Sequence, residues 1–275
     1  MAILSDRALI LRRTPFGESS LVVQVLTERH GRVHLMAKGA YRHTSRYYCV
    51  LDLFHELELE WSHQKNRELQ TLRKADLSVR RRNLTDDVIR YRAAVEVIEL
   101  IELSARPGQP DPTGFALLSR ALELLGRPEV EPEAVRSVFG LKFLANLGLA
   151  PSLADCAACG GPAPVVQGTA GTDSGRVAFS AGAGGRLCLD CAREARASGR
   201  RVGTLSERLV ENAGRIARSG VRAAQSLSDS ELEDTRRFTE RFMDYHLEIR
   251  PKSRRSPARG SRGFRKPSPP LETRR

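Results

Sequence analysis

Two Cys-x-x-Cys pairs, Cys156-Ala-Ala-Cys159 and Cys188-Leu-Asp-Cys191, stand 28 residues apart in a segment that has little else to fold around. From Asp155 to about Gly203 the chain is rich in Gly and Ala and nearly without large apolar residues. Hydrophobic burial there cannot offset the conformational entropy of ordering the backbone. Four thiolates, two from each tight knuckle, close a tetrahedral shell around one Zn(II) ion, and metal-binding energy then becomes folding energy. Gly160-Gly161 supplies the permissive backbone that the first knuckle needs. The spacing therefore predicts one structural zinc on Cys156, Cys159, Cys188 and Cys191, its shell closed to catalysis. Disulfides are the weaker alternative in a chain that reads as cytoplasmic, and a redox pair needs only one of the two motifs. Cys49 is expected to be a buried or inert thiol.

The flanks have different periods. Before residue 80 come short alternating or β-branched runs: Arg7–Arg13, Ser20–Thr27, Arg32–Lys38, Phe54–Trp61 and Leu69–Leu77, with a break expected at Thr14–Ser20. Five strands at this spacing predict a small closed or partly closed barrel. From Leu84 the period changes to three and four. Val88, Tyr91, Val95, Ile98 and Ile101 form one expected buried face, and Val135, Val138, Phe139, Phe143 and Leu147 form another. After the cysteine segment, helical spacing returns, with Leu232, Phe238, Phe242, Tyr245 and Leu247 as the apolar positions of the last helix. The expected architecture is α+β. It comprises an N-terminal barrel (1–80), a helical part (81–154), an inserted four-cysteine module (155–203), further helices (204–250) and a basic, mostly disordered tail (251–275). The helices on either side of the insert are expected to pack together.

Net charge is +12, concentrated at the two ends. The last 25 residues hold nine Lys or Arg and one acid, and residues 1–85 hold fifteen against nine. A polyanion is the expected partner. Of the 45 basic residues 39 are Arg, so placement carries more weight than number. The stretch Lys38-Gly-Ala-Tyr-Arg-His-Thr-Ser-Arg46 falls between two expected strands and contains no acid. In oligonucleotide-binding barrels, cations on such loops neutralise phosphates and aromatics stack on bases. Lys38, Arg42 and Arg46, spaced by four, are the expected backbone contacts, with Tyr41 or Tyr47 to stack. The opposing reading is a solvated loop whose tyrosines cover the barrel mouth. Arg12, Arg13, Lys65, Arg67, Arg73 and Lys74 add nearby charge. No phosphate-binding loop of the G-x-x-x-x-G-K-[ST] type occurs, and the nearest approach to a nucleophile elbow, around Ser180, lacks its first Gly. The chain is expected not to be an enzyme. No run approaches the roughly 18 apolar residues of a membrane span, and the start lacks a signal-peptide layout.

Ala37–Arg46, Leu51–Trp61, the segment Leu141–Pro151 that leads into the first cysteine pair, and Lys252-Ser253-Arg254 together, in this order, resemble the RecO family of bacterial recombination mediators. The resemblance covers residues 1–254. It implies an OB-fold barrel, a helical middle and a zinc-finger-like module; some members have lost the cysteines, whereas all four are present here. It further implies a non-enzymatic, nucleoid-associated protein that binds single- and double-stranded DNA and anneals complementary strands. The implied partners are RecR, RecF in some members, and the acidic, apolar C-terminal tail of the single-stranded-DNA-binding protein SSB, with RecA loaded as the outcome. By position it assigns DNA contacts to Lys38, Arg42 and Arg46. His43 and Thr44 depart from the more basic loop common in the family, and the Arg-rich tail is expected to add salt-sensitive attraction. A zinc-containing OB-fold RNA-binding protein is the alternative; a zinc-stabilised hydrolase or nuclease would need an open or acidic metal site.

Overall fold

The computed structural model describes residues 2–47, 49–81, 83–165 and 175–247. Tyr48, the tail 251–275 with its expected disorder, and Lys252-Ser253-Arg254 lie outside the described residues.

Strands β1 (Ala2–Phe16), β2 (Ser20–Thr27), β3 (Gly31–Ala37), β4 (Glu56–His63) and β5 (Leu69–Val79) close a barrel in the order β1-β2-β3-β5-β4. Neighbours are antiparallel except β3 and β5, which run parallel. This is the strand arrangement of an OB-like barrel. Alternation selects the interior: Ala8 and Ile10, Val23 and Val25, Leu57, Leu59 and Trp61 all face one buried cluster. The break expected after Arg13 is absent, and β1 continues to Phe16. Residues 12–16 pair with β2 alone, so Pro15, which has no N–H, sits where no second ladder needs one. A bulge at Leu11 bends this strand, and another at Arg73 leaves both Arg73 and Lys74 facing outward.

Helices α1 (Val88–Ser104), α2 (Pro112–Leu125) and α3 (Pro132–Asn146) follow. Asp87 caps α1 through hydrogen bonds donated by the backbone N–H groups of Ile89 and Arg90. The buried face of α1 is rotated from expectation: Val88 and Tyr91 are exposed, while Ala93, Ala94, Val97, Ile98, Leu100 and Ile101 face inward. Small alanines set the close approach, and Tyr91 instead lays its ring edge-on against Phe54 at 5.5 Å. The module contributes β6 (Arg176–Ser180), β7 (Gly185–Leu187), α4 (Leu189–Ala197) and β8 (Gly203–Ser206), with β6 central in the sheet. Helices α5 (Glu207–Ser219), α6 (Val221–Ala224) and α7 (Asp229–Leu247) complete the described chain. On α7, Tyr245 is exposed, contrary to expectation, while Thr235, Thr239 and Met243 are buried. The threonine hydroxyls donate to helix carbonyls one turn back, Glu231 O and Thr235 O, both at 2.8 Å, so they enter the core satisfied. α7 packs on α3, across the intervening module.

Barrel and helices share one apolar core. Leu9, Leu11, Leu26 and Phe54 point away from the barrel interior into the cluster that holds Phe115, Leu118, Leu122 and Phe139. A buried ionic knot lies beside it. Arg7 donates to Glu56 Oε1 through Nη2 at 2.5 Å; Arg81 reaches Glu56 Oε2 at 3.3 Å and the Phe54 carbonyl at 2.9 Å. Ser119 of α2 donates to Glu56 Oε2 at 2.7 Å. The turn after β2 is pinned to the loop after α1 at Gly31, whose φ is +69° and where a Cβ would fall on the carbonyl oxygens of Gln109 and Arg106. Gly31→Ala is therefore expected to cost at least about 2 kcal/mol through strain and displacement of the loop. A melting curve in which this variant matches the parent would exclude that close approach.

Candidate metal centre and nucleic-acid surface

The first cysteine knuckle is shaped by local hydrogen bonds. Gly160 N–H donates to Cys156 O and Cys156 N–H to Gly161 O, both at 2.8 Å, and Gly160 takes φ +72°. The second begins at the N-terminus of α4, where Cys188 is the cap residue and its sulfur accepts from Cys191 N–H at 3.5 Å. A 2.8 Å hydrogen bond from Ala157 N–H to Arg186 O brings the knuckles together. All four Sγ atoms lie within 4.8 Å of one another, and Cys159 Sγ stands 4.0 Å from Cys188 Sγ. No disulfide links them. A tetrahedral metal–thiolate shell with bonds of about 2.3 Å places its sulfurs about 3.8 Å apart, so the four can hold a metal ion with little adjustment.

The electrostatics agree. Burial pushes the Cys156 thiol up, but backbone N–H groups of Cys188, Cys159 and Ala158 outweigh it and bring the thiol to about 6. Hydrogen bonds to the Cys188 and Cys156 sulfurs push Cys191 up to about 12. One thiolate forms readily and the last resists, because each sulfur's charge disfavours the next. Around the site, Cys156, Ala163, Ala178, Leu187, Ala192 and Ala195 form the module's core, with Leu187 its one large side chain. Cys49 stands apart and is exposed, which corrects the expectation of a buried thiol.

The basic loop follows β3 and lies against the turn between β1 and β2, where Tyr41 N–H donates to Ser19 O at 2.9 Å. Its inner side is a plug: Ala40, Tyr47 and Leu51 join the barrel core. Tyr47 therefore covers the barrel mouth, with its hydroxyl donating to Arg73 O at 2.8 Å. Arg46 lies over the Tyr47 ring at 5.2 Å and also donates to Arg73 O. Lys38, Tyr41 and Arg42 point outward, and the Lys38 and Arg42 side chains have no ion pair among the described residues. Other expected cations are engaged. Arg12 pairs with Glu102 of α1 at 2.8 Å, Arg13 pairs with Asp52, Lys74 pairs with Asp76 at 2.5 Å, and Arg73 donates to Ser62. Lys65 and Arg67 sit elsewhere, in the turn between β4 and β5 at the opposite end of β3.

The family model described as "Recombination protein O N terminal" matches residues 1–79, and that described as "Recombination protein O C terminal" matches residues 85–255. The chain belongs to the RecO family. Among curated members, a protein of Desulfatibacillum aliphaticivorans is 30% identical over 258 residues, covering 93% of this chain and 96% of its own. One from Symbiobacterium thermophilum is 31% identical over 194 residues, covering 70% and 73%, and one from Streptomyces coelicolor is 30% identical over 197 residues, covering 70% and 75%. Each relative is named "DNA repair protein RecO". Among the described residues, no helix of this RecO-family chain is long and apolar enough to cross a membrane.

Sequence reasoning missed a second basic group. Arg29 and Arg32, with the imidazoles of His30 and His63, gather beside Lys65 and Arg67 in one cleft. The run Arg29-His-Gly-Arg32 marks a turn, but only the pairing of Ala2 with His63 and of His34 with Leu69 brings it opposite the β4–β5 turn.

Proposed function

We propose that this chain is a non-enzymatic DNA-repair and recombination mediator of the bacterial cytoplasm. It binds single- and double-stranded DNA and anneals complementary strands coated with SSB. With RecR, and with RecF where that protein takes part, it helps load RecA. The observation that carries this reading is the exposed, unpaired pair Lys38 and Arg42, flanking Tyr41 at one end of an OB-like barrel, in a family whose curated members are named for DNA repair. Annealing requires two like-charged strands to approach without any covalent step. A cationic surface lowers their repulsion, and contacts made mainly to phosphate leave the protein indifferent to sequence. Zn(II) is the proposed occupant of the four-cysteine cluster, in a structural role: four thiolates complete its shell. Partner binding by the SSB tail and RecR is assigned to this chain on family membership alone.

The test is annealing of two complementary oligonucleotides, each coated with the SSB of the same organism, without nucleotide. The parent chain should accelerate pairing. Lys38→Ala/Arg42→Ala should slow it and flatten the log–log salt dependence of single-strand binding by about 1.4, about 0.7 per lost phosphate contact. Tyr41→Ala should weaken binding by about 1–3 kcal/mol if a base stacks there. Arg46→Ala is a poor probe because it also loosens the Tyr47 plug. No acceleration over SSB alone, with DNA binding intact, would reduce the protein to a general nucleic-acid binder, with RNA the next ligand to try.

A further inference from the structure

At the end of the barrel remote from the basic loop, a cleft of about 670 Å³ opens between the β2–β3 turn, the β4–β5 turn and the loop joining α1 to α2. All three walls are braced. The first turn is built on Asp6, which is buried and accepts from Arg29 N–H at 2.8 Å and Arg29 Nε at 3.0 Å, with His30 Nδ1 at 2.9 Å. The second is held by buried Gln70, which accepts from Gln64 N–H at 2.8 Å and donates to Gln64 O at 3.0 Å and to Arg67 O. The third is pinned at Gly31. Bracing consumes Arg29 but leaves Arg32, Lys65 and Arg67 without an ion pair among the described residues, and Glu68 is the one acid in the lining. Two buried N–H donors of lining residues, Trp61 Nε1 and Arg32 Nε, have no hydrogen-bond partner. A braced cleft whose Arg32, Lys65 and Arg67 have no ion pair among the described residues is arranged for an anion.

We propose that this cleft is a second nucleic-acid site, which takes the phosphate backbone of a strand other than the one on the basic loop. The inference rests on the DNA-mediator reading and extends it. Arg32 in the cleft and Lys38 on the loop stand six residues apart along and just past β3, about 20 Å at roughly 3.3 Å per residue, so a dinucleotide on the loop does not reach the cleft. One barrel then presents two strands from opposite ends, which is what annealing by a single chain requires. Phosphate is favoured over an acidic peptide because Arg73, exposed and without an ion pair among the described residues, continues the basic surface along β5.

Trp61 is the chain's single tryptophan and one of the residues lining the cleft, so its indole N–H gives one unambiguous resonance, and the variants below separate the cleft from the loop as the source of a shift. The metal-loaded full chain is titrated with 5′-phosphorylated thymidine dinucleotide, without SSB. A saturable shift of the indole signal is expected. It should weaken at least about tenfold in Lys65→Ala/Arg67→Ala, both exposed turn residues, and persist in Lys38→Ala/Arg42→Ala. No shift, or a shift lost only in the loop variant, overturns the proposal. So does a shift produced by hexaglutamate and not by the dinucleotide, which would make the cleft a protein-docking site. Because no annealing is measured, the cleft can fail this test while the mediator reading stands, and the reverse.

Discussion

Stripping the metal from the cysteine cluster should abolish the order of β6, β7, β8 and α4 while the barrel remains folded. The module's apolar core has Leu187 as its single large member. Burying one such side chain yields about 1.5–3 kcal/mol, and ordering each residue costs roughly 1–2 kcal/mol of backbone entropy. Metal binding by comparable thiolate sites is worth about 10–16 kcal/mol near pH 7, enough to decide whether the segment folds. Phe179 on β6 packs edge-on against Phe238 of α7 at 5.3 Å, so α7 should loosen next. Two readouts check this. Amide exchange over residues 176–206 should lose its protection on chelation. Thiol titration of the metal-loaded chain should find Cys49 reacting quickly and four sulfurs reacting slowly, and all five reacting quickly once the metal is removed. Five equally fast thiols at the start, or unchanged exchange after metal loss, would refute a structural metal.

Glu56→Ala should destabilise the whole protein by about 3–5 kcal/mol, because it strands Arg81 in the junction between barrel and helices. Both side chains are almost wholly buried, and Ser119 and Arg7 complete the knot. The pH dependence follows in sign. Burial raises the Glu56 carboxyl, but hydrogen bonds from Arg7 and Ser119, with the Arg7 and Arg81 charges, outweigh it and hold it below the ordinary carboxylate value. Its contribution is therefore fully present above the unfolded value of about 4.3 and is lost as pH falls through the lower folded one. Denaturant unfolding of the parent and of Glu56→Gln should differ by a constant amount above about pH 5 and converge in acid. A gap that widens on acidification would mean that the carboxyl is protonated in the native state.

The five strands and the cysteine centre were legible because each depends on short-range spacing. Alternation about Val33, Leu35, Leu57 and Leu59 marks strands, and C-x-x-C marks a knuckle wherever the chain puts it. Long-range geometry was not legible. The rotation of α1 turns on Ala93 and Ala94, small residues whose burial follows from what packs on them. Tyr245 fitted the apolar period of α7, yet Thr239 took the buried place because Gly140 of α3 leaves room against it. Among the cations, sequence could not separate Arg12 and Arg13, tied by acids Glu102 and Asp52, from Lys38 and Arg42, which are free of ion pairs. Nor could it distinguish Tyr47, a plug, from Tyr41, which faces solvent: both are tyrosines in one basic loop.

The outer face of the barrel has a consequence for synthesis. Leu9, Leu11, Leu26 and Phe54 are covered by helices whose first core residues come later in the chain, with Phe115 and Leu118 on α2 among them. As the chain leaves the ribosome, its first 80 residues contain every strand of the barrel but lack its cover. During that interval the nascent barrel carries a greasy flank and half of an ionic knot, Glu56 and Arg7 without Ser119. Such a flank is what chaperones grip and what promotes clumping between neighbouring chains. The barrel is thus made before the helices that finish it, and a translation product cut short before α2 is one for the cell's proteases to clear.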